Sequence, residues 1–276
     1  MSTVVAPFGC RPATVTARES WGAYVVIRCH DDGGPRPRAG QFYMLRTAER
    51  WGGGEGERPF LPRAFSVLRE RERELQFLIE DVGPGTKRLC ELEPGEELLL
   101  VGPLGNGFAP PREGRVALLV GGGVGIAPLA IWQDELKSDP RSPAPDRPVL
   151  LGFRGAAHAA GAALLTNPTV ATDDGSVGHH GLVTDLLEEA LEHRGDEVEV
   201  YACGPPAMLE AVRVQCAERG VPAQLALESG MACGFGACFG CVVPTTDGYV
   251  RLCLDGPVLD AQVLRTAAPV GAGHPR

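Results

Sequence analysis

The run MACGFGACFGCVVPTTDGYVRLC near the end of the chain carries Cys233, Cys238, Cys241 and Cys253. Their spacing is C-x4-C-x2-C, then eleven residues, then C. The first three positions match the ligand spacing of one class of [2Fe–2S] loop, in which a tight turn presents thiolates to two sulfide-bridged irons. The intervening residues are largely Gly and Ala, as such a loop requires, because backbone N–H groups must approach the sulfides closely. Zinc and disulfides are the competing readings. Structural zinc usually shows two Cys-x2-Cys-like knuckles, and here only Cys238 and Cys241 have that spacing. Disulfides need an oxidising compartment, and the opening MSTVVAPFGCRP has no basic segment followed by an apolar stretch. The expected location is therefore the cytoplasm. Cys10, Cys29, Cys90 and Cys216 are scattered, and each is expected to be a small buried hydrophobe. A cluster of this size moves one electron at a time, so the rest of the chain should reveal the electron source.

With 276 residues the chain has room for two domains of ordinary size and a small third. A net charge of −9 argues against nucleic acid as a partner, which would favour a basic surface. The longest apolar run, RVALLVGGGVGIAPLAIW, is broken by glycines and is too short to cross a membrane.

AYVVIRC, QFYMLR, RAFSVL, LQFLIED and ELLLVG are short runs of branched and aromatic residues. The turn sequences DDGGPRP, ERWGGGEGERP, GPG and EPGE separate them, and this rhythm predicts an antiparallel barrel. APPREG, at 109–114, reads as a linker. Beyond it the pattern changes. RVALLV is a continuous apolar strand of the kind buried on both faces, PVLLGFRG is a second buried strand and EVEVYACG a third strand. They alternate with the helical stretches APLAIWQDELK, GLVTDLLEEALEHR and PPAMLEAVRVQCAERG, which predicts a parallel α/β sheet. AQLALES, at 223–229, is its expected last strand and leads into the cysteine loop, while the tail AAPVGAGHPR is expected to be mobile.

Four local motifs fall at places where such elements bind ligands. In VGGGVGIAPL, Gly121, Gly122, Gly123 and Gly125 form a strand-to-helix turn suited to a dinucleotide pyrophosphate. Ile126 occupies the sixth position, so the turn is not G-x-G-x-x-G, and a plain tight connection is the alternative. Cys203, Gly204 and Pro205 end a strand where a nicotinamide would lie, although for the motif standing alone a packed core cysteine is the favoured reading of Cys203. Arg63 and Ser66 of RAFS would bind flavin or pyrophosphate oxygens, unless Arg63 is simply solvated. Gly85 and Thr86 open a helix, TKRLCELEPG, whose N-terminus suits a phosphate.

Taken in order, RAFS, GPGT, GPLGNGF, VGGGVGIAPL and YACGPPAML resemble the ferredoxin-reductase family, a flavin-binding barrel followed by a nicotinamide-binding α/β domain. With LESGMACGFGACFGCVVP and RLCLDGPVL added, residues 10–264 resemble the electron-transfer subunits of the heteromeric, NAD-linked dihydroorotate dehydrogenases. The resemblance implies an antiparallel FAD-binding barrel over residues 1–110, an NAD-binding parallel α/β domain over 111–225 and a [2Fe–2S] segment over 226–276. It places FAD against Arg63, Ala64, Phe65, Ser66, Leu78, Ile79, Glu80, Gly85 and Thr86. It places NAD(H) against Gly121, Gly122, Gly123, Gly125, Gly204 and Pro205, with Cys203 as the candidate catalytic thiol. Cys233, Cys238, Cys241 and Cys253 become the cluster ligands. It further implies a partner catalytic subunit holding FMN, a heterotetramer with two of each subunit, and a role in pyrimidine synthesis. Ala64 stands where the family usually has proline, which restores a backbone donor. Arg154 would meet the 2′-phosphate of NADP, the adenosine of NAD or a nearby carboxylate, which leaves NAD or NADP open, and His179 and His180, expected on a surface loop, are assigned no role. An FAD/[2Fe–2S] subunit of an NAD(P)H–ferredoxin oxidoreductase or of a hydrogenase is the alternative of similar build. A zinc-stabilised binding protein is the alternative without redox function.

Overall fold

Six strands open the chain and close into an antiparallel barrel: β1 (Arg11–Trp21), β2 (Tyr24–His30), β3 (Phe42–Thr47), β4 (Arg63–Arg71), β5 (Glu74–Glu80) and β6 (Glu97–Leu104). Their order is β1-β2-β5-β4-β3-β6, with β6 returning to β1. The structure, a computed structural model, describes residues 9–52, 59–139 and 147–268. Parts of three sequence expectations, namely the opening segment, the turn ERWGGGEGERP and the tail, lie outside those residues. Val15, Ile27, Leu45, Val67, Phe77 and Leu100 are all at most 1% exposed and fill the barrel interior. Strand β1 was not among the expected strands. Its sequence, RPATVTARESW, buries only Ala13 and Val15, and most of its other residues are polar.

A short helix, α1 (Pro84–Cys90), follows β5, and the linker after β6 is pinned to the second domain. There the Tyr201 hydroxyl donates to the Ala109 carbonyl at 3.0 Å, and the Arg112 N–H donates to Glu199 at 2.8 Å. The second domain is built on β7 (Val116–Gly122), β8 (Val149–Phe153), β9 (Pro168–Thr172), β10 (His179–His180), β11 (Val198–Cys203) and β12 (Ala223–Ala226). These pair in the order β10-β9-β8-β7-β11-β12, all parallel. Every residue of β11 is buried, as a central parallel strand requires. Helices α2 (Ile126–Ser138), α3 (Ala156–Ala159), α4 (Val183–Arg194) and α5 (Pro206–Glu218) cover the faces. Pro206 opens α5 and Gly220, at φ +64°, lies just beyond its end. His179 and His180, expected on a loop, form an exposed edge strand instead.

The remainder of the chain is a hairpin, β13 (Val242–Thr245) with β14 (Gly248–Arg251), and β15 (Val258–Asp260). Strand β15 returns to pair antiparallel with β12, so the C-terminal segment adds the seventh strand to the sheet beyond the expected last one. Helix α5 holds the end of the described chain. Glu210 accepts hydrogen bonds from the Thr266 hydroxyl at 3.0 Å and the Ala267 N–H at 2.6 Å, and pairs with Arg213. The Arg213 guanidinium, outweighing some burial, brings the Glu210 carboxyl down to about 2, with the Ala267 and Thr266 donors helping. A depressed carboxyl stabilises the fold fully above its ordinary value of 4.5 and loses that contribution as pH falls from there through about 2. Glu210→Gln is thus expected to lower the melting temperature at pH 7 and to change it little at pH 2. Thermal melts at the two pH values check this, and an equal loss at both would contradict it.

The two domains meet along β4 and α2. Arg69 on β4 pairs with Asp134 at 2.9 Å and donates to the Leu164 carbonyl at 2.6 Å, while the Ala39 N–H donates to Glu135 at 2.8 Å. Among the described residues no helix is long and apolar enough to cross a membrane.

Candidate functional site

Strand β4 changes partner halfway along. Arg63 to Ser66 pair with β3, whereas Val67 to Arg71 pair with β5. The two strands therefore splay apart where β5 continues through Leu78, Ile79 and Glu80. These three residues pair with β2 on one side and have no β4 partner on the other. Leu78 and Ile79 bury their side chains in the core, so what they offer to the gap is backbone N–H and C=O. Half-buried Phe65 and Ser66 lie on the opposite bank. Arg63 stands at the mouth of the gap. A Cβ on Gly85 would come within 2.8 Å of its Nε, so Gly85 leaves room for the guanidinium beside α1. Trp51, which the sequence did not single out, lies under that guanidinium at 6.0 Å. The Thr86 hydroxyl donates to the Gly83 carbonyl and accepts from the Val82 N–H, so its side chain closes its own turn. Ala64 sits in the ladder opposite Met44, where a proline would supply no N–H. A slot of free backbone groups with a cation at its mouth suits a flat heteroaromatic ring carrying phosphates.

The Gly-rich turn contacts β5 and so faces this slot. Its glycines have a packing reason. Gly125 has φ −62° and ψ −8°, which any residue adopts, but a Cβ there would collide with the Cys203 backbone and reach 2.6 Å from Gly204 N. Ile126 is fully buried, which explains why the fingerprint fails at that position. Gly123 alone has φ +55° with open space around it, leaving its backbone free toward a ligand.

Cys203 pairs with Gly121 on one side and with Ala226 on the other, and is 2% exposed. Burial, together with the Glu228 carboxylate, pushes its thiol well up, so it acts as a neutral surface rather than a thiolate. Glu228 lies two residues beyond Ala226 on the Cys203 face. It forms no hydrogen bond or ion pair among the described residues, and crowding by protein lifts its carboxyl to about 7, although the side chain reaches solvent. Nothing local in LESG marks that carboxylate; only the β11–β12 register brings it to Cys203. His158, also unforeseen, joins Glu80 at 3.1 Å across the domain boundary and meets Tyr24 edge-on. Arg154 is exposed just past β8.

Cys233, Cys238 and Cys241 lie on one loop, and the β13–β14 hairpin returns Cys253 to it. Cys241 donates to Cys253 at a sulfur–sulfur distance of 3.2 Å, and Cys233 shares a hydrogen bond with Cys238. Among the described residues no three His, Cys, Asp or Glu side chains surround a point suited to a single ion. The thiols stand as two pairs, a donor set that fits two adjacent irons better than one tetrahedral zinc. Backbone donors aim at the sulfurs: the Gly236 N–H at Cys253 (3.1 Å) and the Gly240 N–H at Cys238 (3.4 Å). Burial pushes the Cys233 thiol up, but N–H groups of Cys238, Phe235 and Ala237 outweigh it and bring the thiol down to about 7. Burial and the Cys241 thiol push Cys253 up to about 12. Of the scattered cysteines, Cys29, Cys90 and Cys216 are buried as expected, whereas Cys10 is exposed.

Gly234 fixes this loop to the barrel, since a Cβ there would lie 2.6 Å from Met44 and 3.0 Å from Leu104. Asn106 of GPLGNGF clamps the far side. Its amide donates to the Leu254 and Asp255 carbonyls at 3.0 and 3.1 Å. The slot and the cysteine loop are thereby carried on the same barrel.

Residues 228–265 match the family model of the iron–sulfur cluster binding domain of dihydroorotate dehydrogenase B. The chain is 37% identical over 234 residues to the dihydroorotate dehydrogenase B (NAD(+)) electron transfer subunit of Caldanaerobacter subterraneus subsp. tengcongensis, covering 83% of this chain and 87% of that one. It is 39% identical to the subunit of the same name from Geobacillus thermodenitrificans, covering 80% and 84%. Among solved structures, an NADH-dependent reduced ferredoxin-NADP oxidoreductase superposes with a TM-score of 0.74 at 25% identity, covering 94% of this chain and 91% of that one. The ferredoxin reductase of carbazole 1,9a-dioxygenase shares the fold with a TM-score of 0.65, covering 79% and 68%. With such identity to curated subunits over most of its length, and with their cluster-binding region in place, this chain belongs to the family of electron transfer subunits of dihydroorotate dehydrogenase B (NAD(+)).

Proposed function

We propose that the chain passes electrons between NAD and the FMN of a catalytic partner subunit, through FAD in the β4–β5 slot and a [2Fe–2S] cluster on Cys233, Cys238, Cys241 and Cys253. The reaction served is the oxidation of dihydroorotate to orotate in pyrimidine synthesis. Membership of this family means that a catalytic partner subunit exists; two copies of each chain in a cytoplasmic heterotetramer is the assembly proposed. The domain limits proposed are 1–110, 111–225 and 226–276, with β15 returning from the last segment to the nucleotide sheet. The observation that carries the reading is the convergence of three sites, because the cysteine loop packs on β3 and β6 beside the barrel strand that carries Arg63 to Ser66.

Bound FAD and cluster supply the exchange between two-electron hydride chemistry and single electrons, and the protein supplies position and electrostatics. In this reading the Arg63 guanidinium neutralises pyrophosphate charge at the slot mouth. Phe65, Ser66 and the free backbone edge of Leu78 to Glu80 flank the ring, while the N–H groups of Gly85 and Thr86 point at phosphate from the start of α1. Gly121 to Gly125, with Gly204 and Pro205, frame the nicotinamide nucleotide. Cys203 presents a neutral apolar wall to its ring, and Glu228 beside it accepts a hydrogen bond from the carboxamide. The Glu80–His158 pair keeps the nucleotide domain closed against the slot. The cysteine thiolates need donors to offset their charge, and Gly236 and Gly240 provide them.

The test is anaerobic purification followed by visible spectra before and after NADH. Flavin and iron–sulfur bands that both bleach are expected. A colourless protein containing zinc would overturn the redox reading. Failure to support NAD-linked dihydroorotate oxidation when combined with a dihydroorotate dehydrogenase catalytic subunit would overturn the choice of partner.

A further inference from the structure

Arg251 closes the hairpin that precedes Cys253, and its side chain turns back into the cysteine loop. Its Nη1 donates to the Gly236 carbonyl at 3.0 Å, and its guanidinium carbon lies 4.9 Å from the centre of the Phe239 ring. Phe239, in the left-handed region at φ +57° and 63% exposed, covers the guanidinium from the solvent side. The approach depends on Gly236. At φ +84° it adopts a conformation that side chains rarely take, and a Cβ there would meet Leu254 and lie 3.4 Å from Arg251 Nη1. The guanidinium has no carboxylate partner among the described residues. Asp255, the nearest acid in its own turn, accepts the Arg251 backbone N–H at 2.9 Å instead.

The bonded carbonyl belongs to the peptide unit whose N–H is that of Ala237, one of the donors facing the Cys233 sulfur. The Gly236 N–H on the preceding peptide donates to Cys253 at 3.1 Å. Arg251 thus grips the stretch of backbone that points donors at one thiol of each pair. It also sets an unpaired positive charge beside that stretch. Hydrogen bonds in series polarise one another, and a carbonyl bonded to a cation makes the amide on the other end of its peptide a stronger donor.

We propose that Arg251 is a positioning residue that raises the reduction potential of the centre held by the four cysteines. The proposal rests on the reading that those cysteines hold a [2Fe–2S] cluster. One-electron reduction adds one negative charge to the loop, with no bond made or broken. A fixed positive charge and strengthened donors favour the more negative state, and net charge, hydrogen bonds to sulfur and solvent exposure are the levers that set such potentials.

The test uses the full-length protein in three variants: Arg251→Gln, Arg251→Met and Arg251→Lys. Iron and sulfide analysis fixes the cluster content of each, and a redox titration with mediators, followed by electron paramagnetic resonance of the reduced cluster, reads the potential. The neutral variants are expected to favour the oxidised form by about tenfold at a fixed potential, a shift of about 59 mV to the negative for a one-electron couple. The lysine variant, which keeps the charge, should stay close to wild type. Fully loaded neutral variants at the wild-type potential would overturn the proposal. So would a lysine variant that falls as far as the neutral ones. Loss of the cluster from both neutral variants, with the lysine variant loaded and unmoved, would make the charge a requirement of assembly and overturn a role in potential. Wild-type protein that holds no iron would overturn the underlying reading along with the proposal, which separates the two failures.

Discussion

Replacing Cys253 by serine is expected to strip the chain of its iron while leaving its flavin in place. Cys253 is 1% exposed, faces Cys241 at 3.2 Å and accepts the Gly236 N–H at 3.1 Å. A serine hydroxyl is nearly isosteric and still accepts that N–H, so the loop keeps its local bonding. What it cannot supply is a soft thiolate for iron. The slot between β4 and β5 lies on the barrel and shares no residue with Cys253. NADH should therefore still reduce the flavin, and with it an artificial dye. Electron delivery to the partner subunit should fall by more than about 100-fold, beyond what loss of a supporting contact costs at a metal site. Iron analysis, flavin content and the two activities measured side by side check this. Full iron content in Cys253→Ser would remove that residue from the ligand set.

Adding one methyl group at Gly125 is expected to damage the nucleotide site more than any change of conformation there. The backbone at Gly125 is ordinary helical geometry, so alanine meets no strain in φ or ψ. Its Cβ would instead run into the Cys203 carbonyl and lie 2.6 Å from Gly204 N, and neither is a flexible side chain that can swing away. Two strand-end turns would have to separate. Overpacking of this kind costs about 2 kcal/mol, or about 4–8 °C of melting temperature for a chain of this size. The same separation displaces Gly204 and Pro205, so NADH-driven flavin reduction should slow sharply while flavin and iron contents stay unchanged. For stability Gly123→Ala is the control: it has φ +55° and no neighbour, so it loses only the backbone cost of about 1 kcal/mol. Thermal melts compare the two variants directly, and stopped-flow reduction of Gly125→Ala against the parent reads the nucleotide site. Equal stability of Gly125→Ala and the parent would show that the turns are not in the contact described.

The cysteine spacing was legible as a candidate cluster site because the four residues lie close together in sequence, within a segment short enough for local geometry to dominate. The buried parallel strand at RVALLV was legible for a similar reason, since its apolar run covers both faces and needs no neighbour to declare itself. The alternation in β1 was harder to see. Its polar residues face water on one side, and only closure against β2 and β6 makes the stretch a strand. The two-residue β10 has no intrinsic preference for a sheet and exists because β9 offers it an edge.

Residue types and their order along the chain determined a barrel, a nucleotide-binding sheet and a cysteine loop, because each of these is written in contiguous segments. The relations between segments were decided by the tertiary structure alone. The splay of β4 from β5 depends on which strand claims Ser66 and which claims Val67. The meeting of Glu228 with Cys203 depends on the β11–β12 register, the clamp of Asn106 spans 148 residues to Leu254, and the hold of Arg251 on Gly236 depends on a loop folding back on its own hairpin. Contacts of this kind arise from packing between elements that local sequence does not encode, so they become visible only once the chain has closed on itself.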